Sequence, residues 1–142
     1  MLKILALVDG SASSSRAVGY VIEMSALCKE APDIHLLNVQ MRLTQSGIAR
    51  GVPRGDLDDY YHDEGMAALA AARKLLDKAN VRHAFHIGVG EIGETVAKYV
   101  KELAIQQIAM GTRALGPVAG MLLGSVTAQV IHAVAVPIVL VK

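Results

Sequence analysis

The sequence predicts an α/β fold built on an open parallel sheet of five strands with helices on both faces. Short continuous apolar runs, typical of strands buried on both sides, alternate along the chain with segments of helical period. Strict alternation of this kind implies parallel strands joined by right-handed crossovers. A length of 142 residues favours a single domain, and 53% hydrophobic residues with one Phe and no Trp indicate an aliphatic core.

The chain opens with a predicted strand, helix and strand. Ile4 to Val8 is an apolar run stopped by Asp9-Gly10, as expected for a central strand. The serines at 11 and 13–15 offer side chains that can cap a helix, and this helix ends before Pro32. Ile34 to Val39 is the second strand.

The middle of the chain is less regular. The polar segment Met41 to Asp59, punctuated by glycines, is predicted to be a loop, and loops of that length are usually functional or mobile. Tyr61 to Ala79 is rich in helix formers with one apolar side and is the second helix. Val81 to Ile87 alternates as a strand open on one face, which is typical of a sheet edge, and Gly88-Val-Gly90 ends it.

The last third repeats the strand and helix pattern. Ile92 to Ala104 has the clearest helical period of the chain. Gln107 to Met110 is a short strand that leads into a glycine-rich loop. Ser125 to Val134 is the fourth helix, with Ser125 as its expected N-cap, and Pro137 to Val141 is the final strand.

This order of elements predicts where a ligand would bind. If three strands wind outward and the fourth returns beside the first, the strand order is 3-2-1-4-5, a Rossmann-like arrangement with a crevice between strands 1 and 4. Ligands of open α/β sheets bind at that switch point, outside the carboxyl ends of the strands. Here those ends carry Asp9-Gly10 and Gly111-Thr112.

The residue types at the crevice favour a nucleotide. Glycines let a ligand approach the backbone closely, and the start of the fourth helix offers N–H groups and a dipole to phosphate, with hydroxyls from Ser125 and Thr127. Asp9 suits ribose hydroxyls or a Mg²⁺ held against phosphate oxygens. A flat base would find an apolar slot formed by Val8, Val39 and Met110.

Several other site chemistries are disfavoured. The loop lacks the Gly-Lys-Ser/Thr of a Walker A motif and is not a dinucleotide fingerprint, and by itself it equally fits a plain turn from strand to helix. The five histidines lack the spacing of metal ligands, and His83 and His86, three apart on a strand, point to opposite faces. Asp9 does not fit a receiver phosphoacceptor, which ends the third strand.

The whole chain, residues 1–142, resembles a universal stress protein domain. The nucleotide-binding members of that family carry Gly-x2-Gly-x9-Gly-Ser/Thr after the fourth strand and an Asp at the end of the first. Here the frame reads Gly111, Ala114 and Gly124-Ser125. The other matching segments are Leu-Val-Asp-Gly-Ser at 7–11, Leu-Leu-Asn-Val at 36–39, Ile-Ala-Met-Gly-Thr-Arg at 108–113, Leu-Leu-Gly-Ser-Val-Thr at 122–127 and Val-Pro-Ile-Val-Leu-Val at 136–141.

This resemblance implies an adenine nucleotide, ATP or AMP or ADP, with Mg²⁺ accompanying it. It implies that Asp9 and the backbone near Val39 hold ribose and adenine, while the glycine loop and the helix start hold phosphates. The crevice and the resemblance together predict the nucleotide-binding residues Val8, Asp9, Val39, Met110, Gly111, Thr112, Arg113, Ala114, Gly124, Ser125, Val126 and Thr127. Asp9 is also the candidate Mg²⁺ contact.

One position departs from the family frame. Ala114 stands where the family has glycine, and if the backbone there needs positive φ, alanine costs about 1 kcal/mol, or about fivefold in affinity. This departure predicts weakened binding, and it is also the one feature that favours a family member without nucleotide binding, serving as a dimeric protein-interaction module.

The last strand predicts a homodimer. In the proposed order it is an edge, and the predicted interface consists of Pro137, Ile138, Val139, Leu140 and Val141. A long apolar edge is usually covered, and pairing with a second copy is self-complementary. The resemblance implies the same arrangement.

Composition limits the other partners. With 14 Lys plus Arg against 13 Asp plus Glu, a net charge of +1 gives no electrostatic reason to expect nucleic acid or a membrane, and the apolar N-terminal run is too short to span one. A single cysteine, Cys28, suits a reducing compartment, so we expect a cytoplasmic protein. The leading hypothesis is a dimeric, nucleotide-gated stress-response regulator with at most slow ATP hydrolysis, and an adenylating enzyme is a further alternative.

Overall fold

The computed structural model describes residues 1–43, 51–112 and 124–142, in which strands and helices alternate. The elements are β1 (Lys3–Leu7), α1 (Ala12–Leu27), β2 (Asp33–Gln40), α2 (Arg54–Lys78), β3 (His83–Val89), α3 (Ile92–Glu102), β4 (Gln107–Gly111), α4 (Ser125–Ala133) and β5 (Ile138–Val141). All strand pairs are parallel, and the sheet order is β3-β2-β1-β4-β5. The predicted fold class and strand order are confirmed.

The core lies in two layers, one on each face of the sheet. Alternate residues of a strand point to opposite faces, so Ile4, Ala6 and Val8 pack in a cluster with side chains of α1 and α2. Leu5 and Leu7 point the other way and pack with side chains of α3 and α4. Burial of β1 on both faces is the physical reason why its sequence is continuously apolar.

The second helix begins earlier than predicted. Its first residue is Arg54, inside the segment Met41 to Asp59 that was predicted to be a loop. Pro53 precedes it with a φ of −56°, which suits helix entry, and Asp56 complements the positive end of the helix. Residues 54–60 are exposed apart from a half-buried Leu57, so these turns show no apolar period. The predicted start at residue 61 was wrong for this reason.

The third strand also continues further than predicted. It runs through Gly88, although the glycines there were predicted to end it at Ile87. A Cβ built on Gly88 would lie 2.5 Å from Cγ2 of Thr95 and 3.1 Å from the ring of Tyr99. The glycine therefore allows α3 to approach the sheet closely, and it does not break the strand.

Polar side chains form a chain across β2, β3 and α3. Nδ1 of His35 lies 2.9 Å from Nε2 of His86, and Nε2 of His35 lies 3.2 Å from Oδ2 of Asp33. The ring of Tyr99 lies 5.4 Å from the ring of His86. Burial, and then the neighbouring His35, lower the pKa of His86, because both disfavour a positive charge on its ring.

This lowered pKa predicts a pH dependence of stability. When the pH falls below about 6.5, the unfolded chain protonates this histidine while the folded chain resists, so the free energy of unfolding should fall. Above that pH both states are neutral and the group contributes nothing. In urea unfolding, we expect the free energy of unfolding of His86→Asn to change less between pH 8 and pH 5.5 than that of the wild type. His62→Asn, at an exposed position of α2, is the matched control, and equal slopes in both variants would contradict the prediction.

Candidate functional site

The predicted crevice lies where β1 and β4 separate. The last paired residues of these two strands are Ala6 and Ala109, and both chains continue beyond this pair toward Asp9 and Gly111. The cavity that opens there is lined, among the predicted residues, by Val8, Asp9, Val39, Met110, Gly111, Gly124, Ser125, Val126 and Thr127. The structure thus brings together segments that are about a hundred residues apart in the chain.

The other three predicted residues stand apart from this set, and only one of them can be placed. Arg113 and Ala114 lie outside the described residues. Thr112 is buried, and both its N–H and its hydroxyl donate to the carbonyl oxygen of Val141, at 3.0 Å and 3.3 Å. The Thr112 side chain is therefore directed to β5, on the far side of β4 from the crevice.

The floor of the cavity is apolar. Val8 and Met110 are each 4% exposed, and Val39, Leu37 and Ile92 complete this surface. Met110 belongs to β4 and Val8 directly follows the last residue of β1, so the sheet fixes the position of both residues. A flat, weakly polar group could lie here without displacing any charged side chain.

A buried amide fixes the end of β1 beside this floor. Asn38, 3% exposed, donates from Nδ2 to the carbonyl oxygen of Val8 at 2.8 Å, and its Oδ1 accepts from Nε2 of Gln40 at 2.6 Å. The N–H of Val8 donates to the carbonyl oxygen of Leu37. Asn38 is not among the site residues predicted from the sequence, although an amide within an apolar strand was the signal that could have found it.

Asp9 is held at the mouth of the cavity by the turn that follows β1. Its Oδ1 accepts from the N–H of Ser11 at 2.9 Å, and its own N–H donates to Oγ of Ser14 at 3.4 Å. Gly10 turns with a φ of +85°, and a Cβ there would lie 3.3 Å from Cα of Ala68 in α2. The tight turn thus places a carboxylate at the lip of the crevice, where it can accept hydrogen bonds from a ligand hydroxyl.

The opposite wall is the start of α4. Gly124 is its N-cap and makes no side-chain capping bond, so the expectation that Ser125 caps this helix was wrong. Ser125 is instead the first helical residue, next to an exposed Val126 and a buried Thr127. The first N–H groups of a helix lack partners within it and carry partial positive charge. This wall is therefore suited to an anion.

The helix starts supply the positive potential of the cavity. No Lys, Arg or His is found among the described residues that line it. The N-terminal turn of α1, with Ser11, Ser13 and Ser14, reaches the same cavity as the start of α4. Two helix N-termini that converge in this way attract negative charge through their backbone dipoles.

Metal ligands are sparse in the described structure. His83 lies near Asp77 of α2 and His86 near Tyr99 of α3, so the two histidines point to opposite faces as predicted. Across residues 1–43, 51–112 and 124–142, no group of three His, Cys, Asp or Glu side chains could hold a metal ion. A Mg²⁺ contact at Asp9 stays a prediction that would need oxygens from the ligand itself.

The predicted dimer strand lies at the edge of the sheet. β5 pairs with β4 on one side, and its residues Ile138 to Val141 are each partly buried within the single chain. Pairing with a second copy stays a prediction for this edge. Within the described parts of the chain, no helix is both long and apolar enough to cross a membrane.

Several known proteins are similar to this chain. The model of the universal stress protein family matches residues 1–142. Universal stress protein Slr1230 of Synechocystis sp. is 26% identical over 136 residues, which are 96% of this chain and 41% of that protein, so the chain spans less than half of this curated relative. A solved universal stress protein in complex with cAMP has a TM-score of 0.73 at 21% identity, covering 99% of this chain and 97% of that chain. A universal stress protein family protein from Arabidopsis thaliana with AMP bound has a TM-score of 0.66 at 18% identity, covering 100% and 92%.

Proposed function

The chain belongs to the universal stress protein family, and from this premise we propose that it binds an adenine nucleotide between β1 and β4 and acts as a dimeric stress-response regulator in the cytoplasm. The observation that carries the proposal is the convergence of Asp9 and the start of α4 on one cavity with an apolar floor. Solved family members with cAMP and with AMP support the choice of an adenine nucleotide.

The residues of the cavity suit the parts of a nucleotide in order. The adenine base would lie against Val8, Val39 and Met110, which offer an apolar surface. Asp9 would accept hydrogen bonds from ribose hydroxyls. The N–H groups at the start of α4 would hold the phosphate, because the first residues of this helix line the cavity and its N-cap, Gly124, has no side chain to bind them.

Regulation fits these residues better than catalysis. The described lining contains one carboxylate, Asp9, and lacks Cys, Lys and His. Phosphoryl transfer depends on positioning and on positive charge that stabilises the transition state, and the described lining offers no Lys, Arg or His for this purpose. We therefore propose that nucleotide occupancy changes what the protein contacts, with ATP hydrolysis slow at most.

Isothermal titration calorimetry of the purified chain tests the proposal. We expect one site per chain for AMP, cAMP or ATP, with a dissociation constant on the order of micromolar, and no comparable binding of GMP. At a hundredfold excess over that constant, ligand should add about 2.7 kcal/mol to the free energy of unfolding. Titration of ATP with and without Mg²⁺ tests the metal contact at Asp9.

The alternative function gives the opposite result. A family member that serves as a dimeric interaction module without nucleotide would show neither heat nor thermal stabilisation with any of these nucleotides at millimolar concentration. Sedimentation of the same samples reports the dimer independently of the ligand, so the two parts of the proposal can fail separately.

A further inference from the structure

The first turn of α1 contains a buried hydroxyl that pairs with none of the described residues. Ser13 is 3% exposed, and within the described residues its Oγ has no hydrogen-bond partner. Buried hydroxyls are rarely left unpaired, because the donor and acceptor lose water without replacement. Ser13 also lines the cavity between β1 and β4.

The neighbouring serines show that Ser13 is different. Oγ of Ser11 accepts from the N–H of Ser14 at 3.1 Å, which caps the helix. Oγ of Ser14 donates to the carbonyl oxygen of Ser11 at 3.0 Å and accepts from the N–H of Asp9. These two hydroxyls hold the turn together, whereas the hydroxyl of Ser13 has no part in it.

The hydroxyl of Ser13 lies next to the end of β4. A Cβ built on Gly111 would meet the Oγ, the carbonyl oxygen and the carbonyl carbon of Ser13 before any other atoms. The first turn of α1 thus lies directly against the residue where β4 enters the cavity. A ligand group at this end of β4 has Gly111 and Ser13 as its immediate neighbours.

We propose that the Ser13 hydroxyl donates a hydrogen bond to the phosphate of the bound nucleotide, an inference that rests on the proposed function. A phosphate is the group expected here, because the site lies between the starts of α1 and α4, which attract an anion. The described lining has no basic side chain, so an anion would be bound by the helix starts and the hydroxyls. The ribose would lie toward Asp9, whose carboxylate accepts from the N–H of Ser11 at the start of the same helix. A rotation of the hydroxyl about χ1 breaks no hydrogen bond, so little is lost when it turns to the ligand.

The test compares ligands that differ only in the phosphate. Ser13→Ala and wild type are titrated with AMP, cAMP and adenosine, and Ser15→Ala, outside the lining but in the same turn, is the matched control. We expect Ser13→Ala to weaken AMP about tenfold, equivalent to about 1.4 kcal/mol, and to change adenosine by less than twofold. The unliganded Ser13→Ala protein should unfold at the same or a higher temperature, since it loses an unpaired buried hydroxyl.

Each other outcome contradicts the proposed contact or one of its premises. Unchanged AMP affinity in Ser13→Ala overturns the phosphate contact while the proposed function stands. Equal losses for AMP and adenosine assign the hydroxyl to the ribose or base and also overturn it. A lower unfolding temperature without ligand contradicts the premise that this hydroxyl is unpaired in the folded chain, and the inference then loses its basis. If the wild type binds neither AMP nor adenosine, the proposed function fails and this inference falls with it.

Discussion

Replacing Gly111 with alanine is expected to lower the free energy of unfolding by about 2 kcal/mol or more and to weaken nucleotide binding at the same time. The added Cβ would lie 2.5 Å from the carbonyl oxygen and 2.6 Å from the carbonyl carbon of Ser13. These are backbone atoms of the first turn of α1, which packs on β4, so no side-chain rotation relieves the clash. Overpacking a close contact typically costs 1–3 kcal/mol, and a clash with backbone belongs to the upper part of that range.

Urea unfolding of Gly111→Ala measures this effect, and Gly19→Ala is the matched control. Gly19 lies within α1, and a Cβ there meets nothing within 4 Å. The control should therefore gain about 0.5–1 kcal/mol, because alanine suits a helix interior better than glycine. If both variants have the same stability as the wild type, the close approach of α1 to β4 is not as described.

Replacing Asp9 is expected to have the largest effect on ligand affinity. A hydrogen bond to a charged acceptor contributes about 1.5–3 kcal/mol, so Asp9→Ala should weaken AMP roughly tenfold to a hundredfold. Asp9→Asn should lose less, because the amide oxygen can still accept from the N–H of Ser11 and preserve the turn. Calorimetry on both variants separates the loss of charge from the loss of the turn.

Asp63→Asn is the control for the change in net charge, since Asp63 is exposed on α2. It should bind AMP as the wild type does. If Asp9 also contacts Mg²⁺, Asp9→Asn should abolish the difference between ATP titrations with and without the metal. Wild-type affinity for AMP in Asp9→Ala would contradict the placement of the ribose at this lip.

The apolar pattern was sufficient to predict the sheet. β1 is a continuous apolar run because helices cover both of its faces, whereas β3 at the edge of the sheet alternates. Alternation with helices then leaves few topologies, because crossovers between parallel strands are right-handed. The position of Asp9 and Gly111 at the crevice followed from that order.

Element boundaries were harder to predict from the sequence. The exposed first turns of α2 contact too little to need an apolar period, so the helix looked like a loop. Gly88 looked like a break, although it lies within β3 and leaves room for Thr95 and Tyr99. In both cases the residue types are compatible with two structures. For Gly88, only side chains distant in sequence show which of the two forms.

By itself, the sequence determined the fold class, the strand order and the crevice with its carboxylate and glycines, because these depend on periodicity and on chirality common to all chains. Only the tertiary structure decided which serine of the 11–15 run is buried without a partner among the described residues, that Asn38 holds the end of β1, and that Thr112 is directed away from the cavity. The physical reason is that the hydrogen bond of one hydroxyl or amide forms or is lost with changes of a few tenths of an ångström in the distance to its partner. The partner belongs to a segment distant in sequence, so no local pattern records that distance.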